Sequence, residues 1–540
     1  MKNYLLSIFT LVFPFLTFAQ ETTSESIDRV FKDNTGWFVD AIFYEIPFSE
    51  TYQIPWVLIV LIGGALFFTF YFRFINVTGF RTAIRVVQGK YEDIEKHGAD
   101  TLYGDVTPNE DHNIIETLRD DGAHGEVSHF QALTAALSAT VGLGNIAGVA
   151  VALSIGGPGA TFWMILAGLL GMASKFAECT LGVKYRDVGE DGTVYGGPLY
   201  YLTKGLKEKG MGIFGKILAV LFAIFVIGGS FGGGNMFQAN QAAAQFIKLF
   251  DFESTNAGMY FGIGMAAIVA VVIIGGIKRI ASVTEKIVPF MAGIYVLAAL
   301  IILAANWSLI DDAFALIYHG AFSGLGIAGG LVGVMIQGIR RGAFSNEAGV
   351  GSAAIAHSAV RTKYPASEGI VALLEPFVDT VVICTMTALV IVITNFDGSF
   401  MEYGVPIKEG VELTATAFDT VIPHFSIVLT VAVILFAFST MISWSYYGMQ
   451  GWVFLFGKGK ITDLVYKFLF LIFVVIGSSI SLGAVIDFSD AMIFAMVVPN
   501  IIGVVILSPV ISRELKKYMK AINIKHDAID DGAEDLNKHM

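Results

Sequence analysis

Residues 138–149 read Ser-Ala-Thr-Val-Gly-Leu-Gly-Asn-Ile-Ala-Gly-Val, inside an apolar segment long enough to cross a membrane. Gly142 and Gly144 open backbone conformations closed to other residues. Backbone N–H and C=O groups released at membrane depth are tolerated only against protein or a watery cavity. The expected chemistry is two-sided. The amides of Gly142, Leu143, Gly144 and Asn145 start a second half-helix and suit a carboxylate, because free N–H groups and the helix dipole both favour an anion. The carbonyls of Ser138 and Val141 end the first half and suit a hard cation, which takes oxygen ligands. Close helix packing is the plainer use of Gly142, Gly144 and Gly148.

Three further stretches offer side chains to such a site. Ser439 and Thr440 place hydroxyls in a deep apolar helix, and with the Phe436 carbonyl they complete a candidate sodium site. Trp444 lies one turn beyond Thr440, on the same face, as a wall for a small pocket. Ser and Thr bonded to their own helix backbone are the ordinary alternative. Residues 237–241 carry Gln238, Asn240 and Gln241; Gln238 suits a substrate bond and inter-helix bonding equally. Arg340, Arg341 and Glu347 fall in a Gly-rich apolar region, where ionisable groups mark function or simply pair with one another and pin the helix. Lys175 with Glu178, and Glu375 with Asp379, invite the same structural reading. His357 needs no catalytic role.

The elements that must hold these residues are membrane helices. The chain is 55% hydrophobic and only 15% charged, against about a quarter charged in soluble domains. Apolar runs predict eleven spans, near 54–75, 128–153, 158–184, 213–249, 257–277, 284–305, 325–358, 367–394, 424–457, 462–483 and 488–511. Lys and Arg sort by side. The loops near 251–256, 306–324 and 484–490 have none, and 395–423 has Lys408 alone. The alternate loops carry Arg81, Arg85, Lys90, Arg361, Lys363, Lys458 and Arg513 among others. The positive-inside rule then puts the N-terminus outside and the C-terminus in the cytoplasm.

Residues 1–19 resemble a secretory signal peptide, with an uncleaved first helix as the alternative; cleavage implies a bacterial inner membrane. Residues 20–53 are then periplasmic, 54–75 is an extra helix, 76–127 a cytoplasmic polar stretch and 512–540 a cytoplasmic tail. The remaining ten spans divide as two five-helix repeats, 128–305 and 325–511. An odd repeat inverts its topology, and each half opens on its glycine-interrupted helix, the usual pointer to a transporter's binding site. Cys179 and Cys384 lie in apolar segments and support neither a disulfide framework nor a metal site. Nine scattered histidines and no nucleophile–base pair argue against an enzyme, and nothing points to nucleic acid.

Gly-Leu-Gly-Asn-Ile-Ala-Gly-Val-Ala at 142–150, Gly-Gly-Pro-Gly-Ala at 156–160 and Gly-Gly-Pro-Leu-Tyr-Tyr at 196–201 resemble the alanine or glycine:cation symporter family. So do Arg-Gly-Ala-Phe-Ser-Asn-Glu-Ala-Gly-Val-Gly-Ser at 341–352, Glu-Pro-Phe-Val-Asp-Thr at 375–380 and Phe-Ser-Thr-Met-Ile-Ser-Trp-Ser-Tyr-Tyr-Gly at 438–448. The likeness covers roughly 54–515, and the stretch 76–127 looks like an insertion. The family belongs to the amino acid–polyamine–cation superfamily. The resemblance implies an all-α polytopic protein with the five-plus-five inverted repeat of a leucine transporter. It implies alternating-access import of alanine or glycine with sodium. It places sodium among Ser138, Val141, Phe436, Ser439 and Thr440. It places the substrate near Thr140, Gly142, Gly144, Asn145, Gln238, Trp444 and the 337–344 region, with Gln337, Gly338 and Phe344. The rival expectation is a proton-coupled permease of the same fold, with an ammonium such as that of Lys286 standing for sodium.

Overall fold

The computed structural model describes residues 23–49, 52–98, 125–189, 192–252, 254, 256–323, 330–407 and 410–538. The expected signal peptide, half of the polar stretch (99–124) and Lys408 lie outside them. The described chain is helical apart from two short antiparallel hairpins, Glu45–Pro47 with Gln53–Pro55 and Asp187–Val188 with Val194–Tyr195.

Among the described residues, six helices are long and apolar enough to cross a membrane: Ala160–Lys184, Gly212–Phe250, Gly276–Ala305, Pro365–Thr394, Phe425–Phe456 and Val485–His526. A seventh span is bent: His129–Thr140 and Leu143–Gly156 meet at 56°. Trp56–Tyr71 and Ala257–Ile273 are apolar but shorter. Ser128 begins the bent pair with a capping box. Its hydroxyl accepts the Gln131 N–H (3.2 Å) while the Gln131 side chain accepts the Ser128 N–H (3.1 Å). The half-helix His129–Thr140 packs between Gly276–Ala305 and Phe425–Phe456; Ala147–Gly156 packs on Gly330–Asn346 and Gly410–Asp419.

Several boundaries differ from the sequence reading. The 213–249 segment carries a π-helical turn at Gly232–Met236. The stretches read as outer loops hold helices at Ile310–Ser323 and Gly410–Asp419; Gly159 and Gly410 let them approach so closely that an added Cβ would sit 2.1 and 2.6 Å from backbone atoms. The last helix does not stop at 511 but runs Leu482–Lys538 through Pro499 and Pro509. Residues 76–98 are not loose. Helices Phe80–Val87 and Glu92–His97 pack on the bundle and bury Ala83, Val86, Ile94 and Glu95.

Candidate functional site

The first interruption falls at Val141 and Gly142, both with extended-side ψ values (84° and −152°) between the two half-helices. The facing helices reach into the gap. A Cβ on Gly142 would stand 2.5 Å from Thr440 Oγ1 and 3.2 Å from Gln238 Oε1. Glycine is required there because three segments converge on one backbone position.

On the carbonyl side, Thr440 Oγ1 donates to the Ser138 carbonyl (3.0 Å), and Ser138 Oγ donates to the Ser439 carbonyl (2.7 Å). Ser439 Oγ donates to the Phe436 carbonyl at 3.0 Å. Ser138, Phe436, Ser439 and Thr440 thus form one buried cluster of neutral oxygens, and Val141, three residues on from Ser138, is buried too. Thr140 points elsewhere, back to its own helix at the Ala136 carbonyl (3.3 Å). The cluster is oxygen-only and compact, which suits a hard monovalent cation.

On the amide side, the Gly142 N–H donates to Asn145 Oδ1 (2.9 Å) and the Leu143 N–H donates to Gln238 Oε1 (3.2 Å). These two amides are therefore held by side-chain oxygens rather than left bare. Gln238 Nε2 donates to the Gly233 carbonyl (2.9 Å), fixing the amide across the π-helical turn. Trp444 lies flat against that turn; a Cβ on Gly234 would be 2.2 Å from its Cγ. Phe344 closes the far side, 3.6 Å from the position of a Cβ on Gly144 and stacked edge-on to Phe237.

The second interruption is not at 337–344. Gly330–Asn346 is a regular helix, and the chain unwinds after it, with positive φ at Glu347 (54°), Gly349 (84°) and Gly351 (91°), before Ala353–His357. Gly338 serves packing, its Cβ position 2.3 Å from the Ala160 carbonyl. Gln337 faces a separate cleft of about 1200 Å³ with Asn240, Arg340, Arg341 and Asp487. Of the three residues expected from 337–344, only Phe344 joins the first break.

Arg340 and Arg341 do not pair with Glu347. Both bind Asp490, at 2.7 Å for Arg340. Glu347 instead accepts from Trp444 Nε1 (3.0 Å) and from Ser352 Oγ. Asp379 is the residue the sequence reading undervalued. It is fully buried in a π-helical turn, Phe377–Cys384, and accepts from Asn145 Nδ2 (2.6 Å), Ser345 Oγ (2.8 Å) and Thr380 Oγ1 (2.7 Å). A carboxylate in an apolar span is the signal that would have found it. The break itself is closed: Ser138, Asn145, Gln238, Thr440 and Trp444 are all buried. None of them lines the large cleft. A second cleft, about 460 Å³, is lined by Ser445, Tyr446 and Lys458.

The profile of the sodium:alanine symporter family matches residues 110–531. The sodium/alanine symporter AgcS of Methanococcus maripaludis is 38% identical over 86% of this chain and 94% of its own. A putative sodium/proton-dependent alanine carrier protein, YrbD of Bacillus subtilis, is 34% identical over 75% of this chain and 84% of its own. Among solved structures, MhsT in complex with L-phenylalanine aligns with a TM-score of 0.48 at 13% identity, over 73% of this chain and 99% of that one. A family profile across most of the length, and a relative matched over nearly the whole of both chains, make this multi-pass membrane protein a member of the sodium:alanine symporter family, an amino-acid symporter and not an enzyme.

Proposed function

We propose that the chain imports small neutral amino acids, alanine and glycine, together with sodium. The reading is supported above all by the first break, where Thr440 on a facing helix meets the Ser138 carbonyl at 3.0 Å. Sodium entering there takes the Ser138, Val141 and Phe436 carbonyls and the Ser439 and Thr440 hydroxyls as ligands. The substrate carboxylate takes the Gly142 and Leu143 amides in place of Asn145 Oδ1 and Gln238 Oε1, at the positive end of the second half-helix. Gln238 is then free to accept from the ammonium. Trp444 and Phe344 limit the side chain; one methylene is worth only roughly 10–200-fold in discrimination, so selectivity is loose. Sodium and substrate order the same short stretch, so each raises the other's affinity by the same factor.

Transport proceeds by alternating access, with the cleft beside Gln337 and Asn240 and the cleft beside Ser445 and Tyr446 opening to the break in turn. The five-plus-five inverted repeat supplies the moving halves. The eleven-span arrangement takes in the six long spans, the bent pair, the two shorter apolar helices, and Gly330–Asn346 and Lys460–Gly477. By the Lys and Arg bias, the end at which His129 begins its helix faces the cytoplasm of a bacterial inner membrane.

A proton-coupled version has one observation in its favour. Asp379, hydrogen-bonded to the Asn145 side chain, is held by neutral donors and offers a place for a proton beside the break. The deciding experiment is radiolabelled alanine and glycine uptake into proteoliposomes with and without inward sodium. Accumulation that requires sodium and survives an uncoupler supports sodium coupling. Sodium-independent accumulation that an uncoupler abolishes supports the proton, and no accumulation under either gradient removes both.

A further inference from the structure

On the side where His129 starts its helix, acids and bases alternate through the protein interior. His129 sits between Glu95 and Glu368, one ring nitrogen on each. His357 Nδ1 meets the other oxygen of Glu368 at 2.5 Å, and its Nε2 faces Glu375 Oε2 at 3.6 Å. Glu375 continues to Lys175 (3.0 Å), which lies 3.9 Å from Glu178. All are buried except His129, whose side chain is 14% exposed. A neutral imidazole has one N–H. His129, with a carboxylate at each nitrogen, therefore requires one proton more than the neutral ring and two carboxylates supply. Among the described residues no three of these side chains converge to hold a metal ion.

The same residues join the inner ends of both interrupted helices. His129 opens the first and His357 closes the second. The backbone ties them too: the Arg361 N–H donates to the Val127 carbonyl (2.9 Å) and the Glu126 N–H to the Ala359 carbonyl (2.7 Å). The remaining groups are accounted for. Tyr518 donates to Glu95 Oε1 (2.6 Å) from the last helix. Glu92, paired with Lys96, acts on His129 from the short helix it shares with Glu95. Glu285 is bonded by Gln131 (2.8 Å). Glu178 is bonded by Asn500 (2.9 Å), Lys175 extends its charge to Glu347 and Cys179, and the Tyr447 phenol faces Glu375 and Glu347.

We propose that Glu95, His129, Glu368 and His357 form a proton-binding latch that clasps the inner halves of the two interrupted helices, and that loss of its proton to cytoplasmic water releases them. The proton leaves from the partly exposed His129. Glu95 and Glu368 then face each other across a ring with a single N–H, and repulsion opens the clasp. The proposal rests on the alternating-access reading and adds to it a sensitivity to internal pH.

The test uses right-side-out membrane vesicles holding the full chain, a fixed inward sodium gradient, and internal and external pH clamped separately. Alanine uptake should rise roughly threefold or more as internal pH goes from about 6.5 to about 9.5, a range set above ordinary histidine titration because a carboxylate at each ring nitrogen holds the proton. External pH should leave it flat, and His129→Gln should lose the internal dependence. An unmodified protein indifferent to internal pH overturns the latch. So does a His129→Gln protein that titrates like the parent. If His129→Gln does not reach the membrane, Glu95→Gln carries the same expectation. Sodium-dependent alanine binding to the purified protein separates the two failures: without it the symport reading falls, whereas binding with a flat pH profile sinks the latch alone.

Discussion

The two interrupted helices solve one problem in different ways. At the first, the backbone freed at Val141–Gly142 is covered by neutral side chains: Asn145, Gln238 and Thr440. At the second, the chain turns through positive φ and fixes a carboxylate, Glu347, under Trp444 and Ser352. Neutral hydrogen bonds are worth about 1 kcal/mol net and exchange readily for a ligand's. A buried carboxylate stripped of its donors costs several kcal/mol. The first break is thus built to trade partners, and the second to hold its own.

Gly142→Ala should break that contrast most severely. Its Cβ would lie 2.5 Å from Thr440 Oγ1, so the hydroxyl must leave the Ser138 carbonyl or the half-helices must part. Overpacking of this kind costs about 1–3 kcal/mol, and it falls on sodium and substrate together. Alanine uptake should drop by about a hundredfold or more while the protein remains folded by circular dichroism. Uptake within threefold of the parent would show that the gap is wider than the geometry says. Thr440→Ala comes next. It leaves the Ser138 carbonyl without its 3.0 Å donor and removes one proposed ligand. The sodium concentration for half-maximal uptake should rise about tenfold, equivalent to about 1.4 kcal/mol, with little change in thermal stability. Unchanged sodium dependence would take Thr440 out of the cation site.

The first break was legible to the residue, and the second was not. Two glycines and an asparagine inside one apolar run have no use in an ordinary lipid-facing helix, so local rules placed the break. Region 325–358 holds many glycines, and no local rule ranks them. Arg340 and Arg341 drew attention to the wrong turn, because their partner, Asp490, is about 150 positions away. The helix ends where Asn346 bonds Thr380 (2.9 Å) and Glu347 meets Trp444, contacts set by tertiary packing. Asp379 was visible as an acid in an apolar span, but its tie to Asn145 was not. The helices at Ile310–Ser323 and Gly410–Asp419 lay in stretches read as outer loops between the spans; both pack on the bundle, against Ala160–Lys184 and Ala147–Gly156 respectively.

Trp444→Phe probes the second break more gently. It keeps an aromatic wall over Gly234 and removes the indole N–H that Glu347 accepts at 3.0 Å. Hydrogen bonds to charged groups are worth about 1.5–3 kcal/mol. Ser352 remains on the other oxygen, so the loss should sit at the lower end. Maximal alanine uptake should fall about three- to tenfold with sodium affinity nearly unchanged. A sodium-affinity loss as large as that of Thr440→Ala would mean that the two breaks act as one site.

The smallest effect belongs to an exposed pair, Glu92 with Lys96, one turn apart on the short helix that also bears the buried Glu95. Lys96 holds the Glu92 carboxyl below its usual range. A depressed carboxylate contributes stability above its unfolded pKa and loses it as pH falls through the lower folded value. The pair's contribution should therefore be present at neutral pH and fade in acid. Both side chains are more than half exposed, so solvent and salt screen them, and measured pairs of this type give about 0.3–0.5 kcal/mol. Lys96→Met should shift thermal unfolding at neutral pH only slightly, and not at all in high salt. If it lowered stability as much as a buried change, the Glu92–His129 interaction would carry weight, and this end of the molecule would be one cooperative network rather than a latch with a solvated fringe.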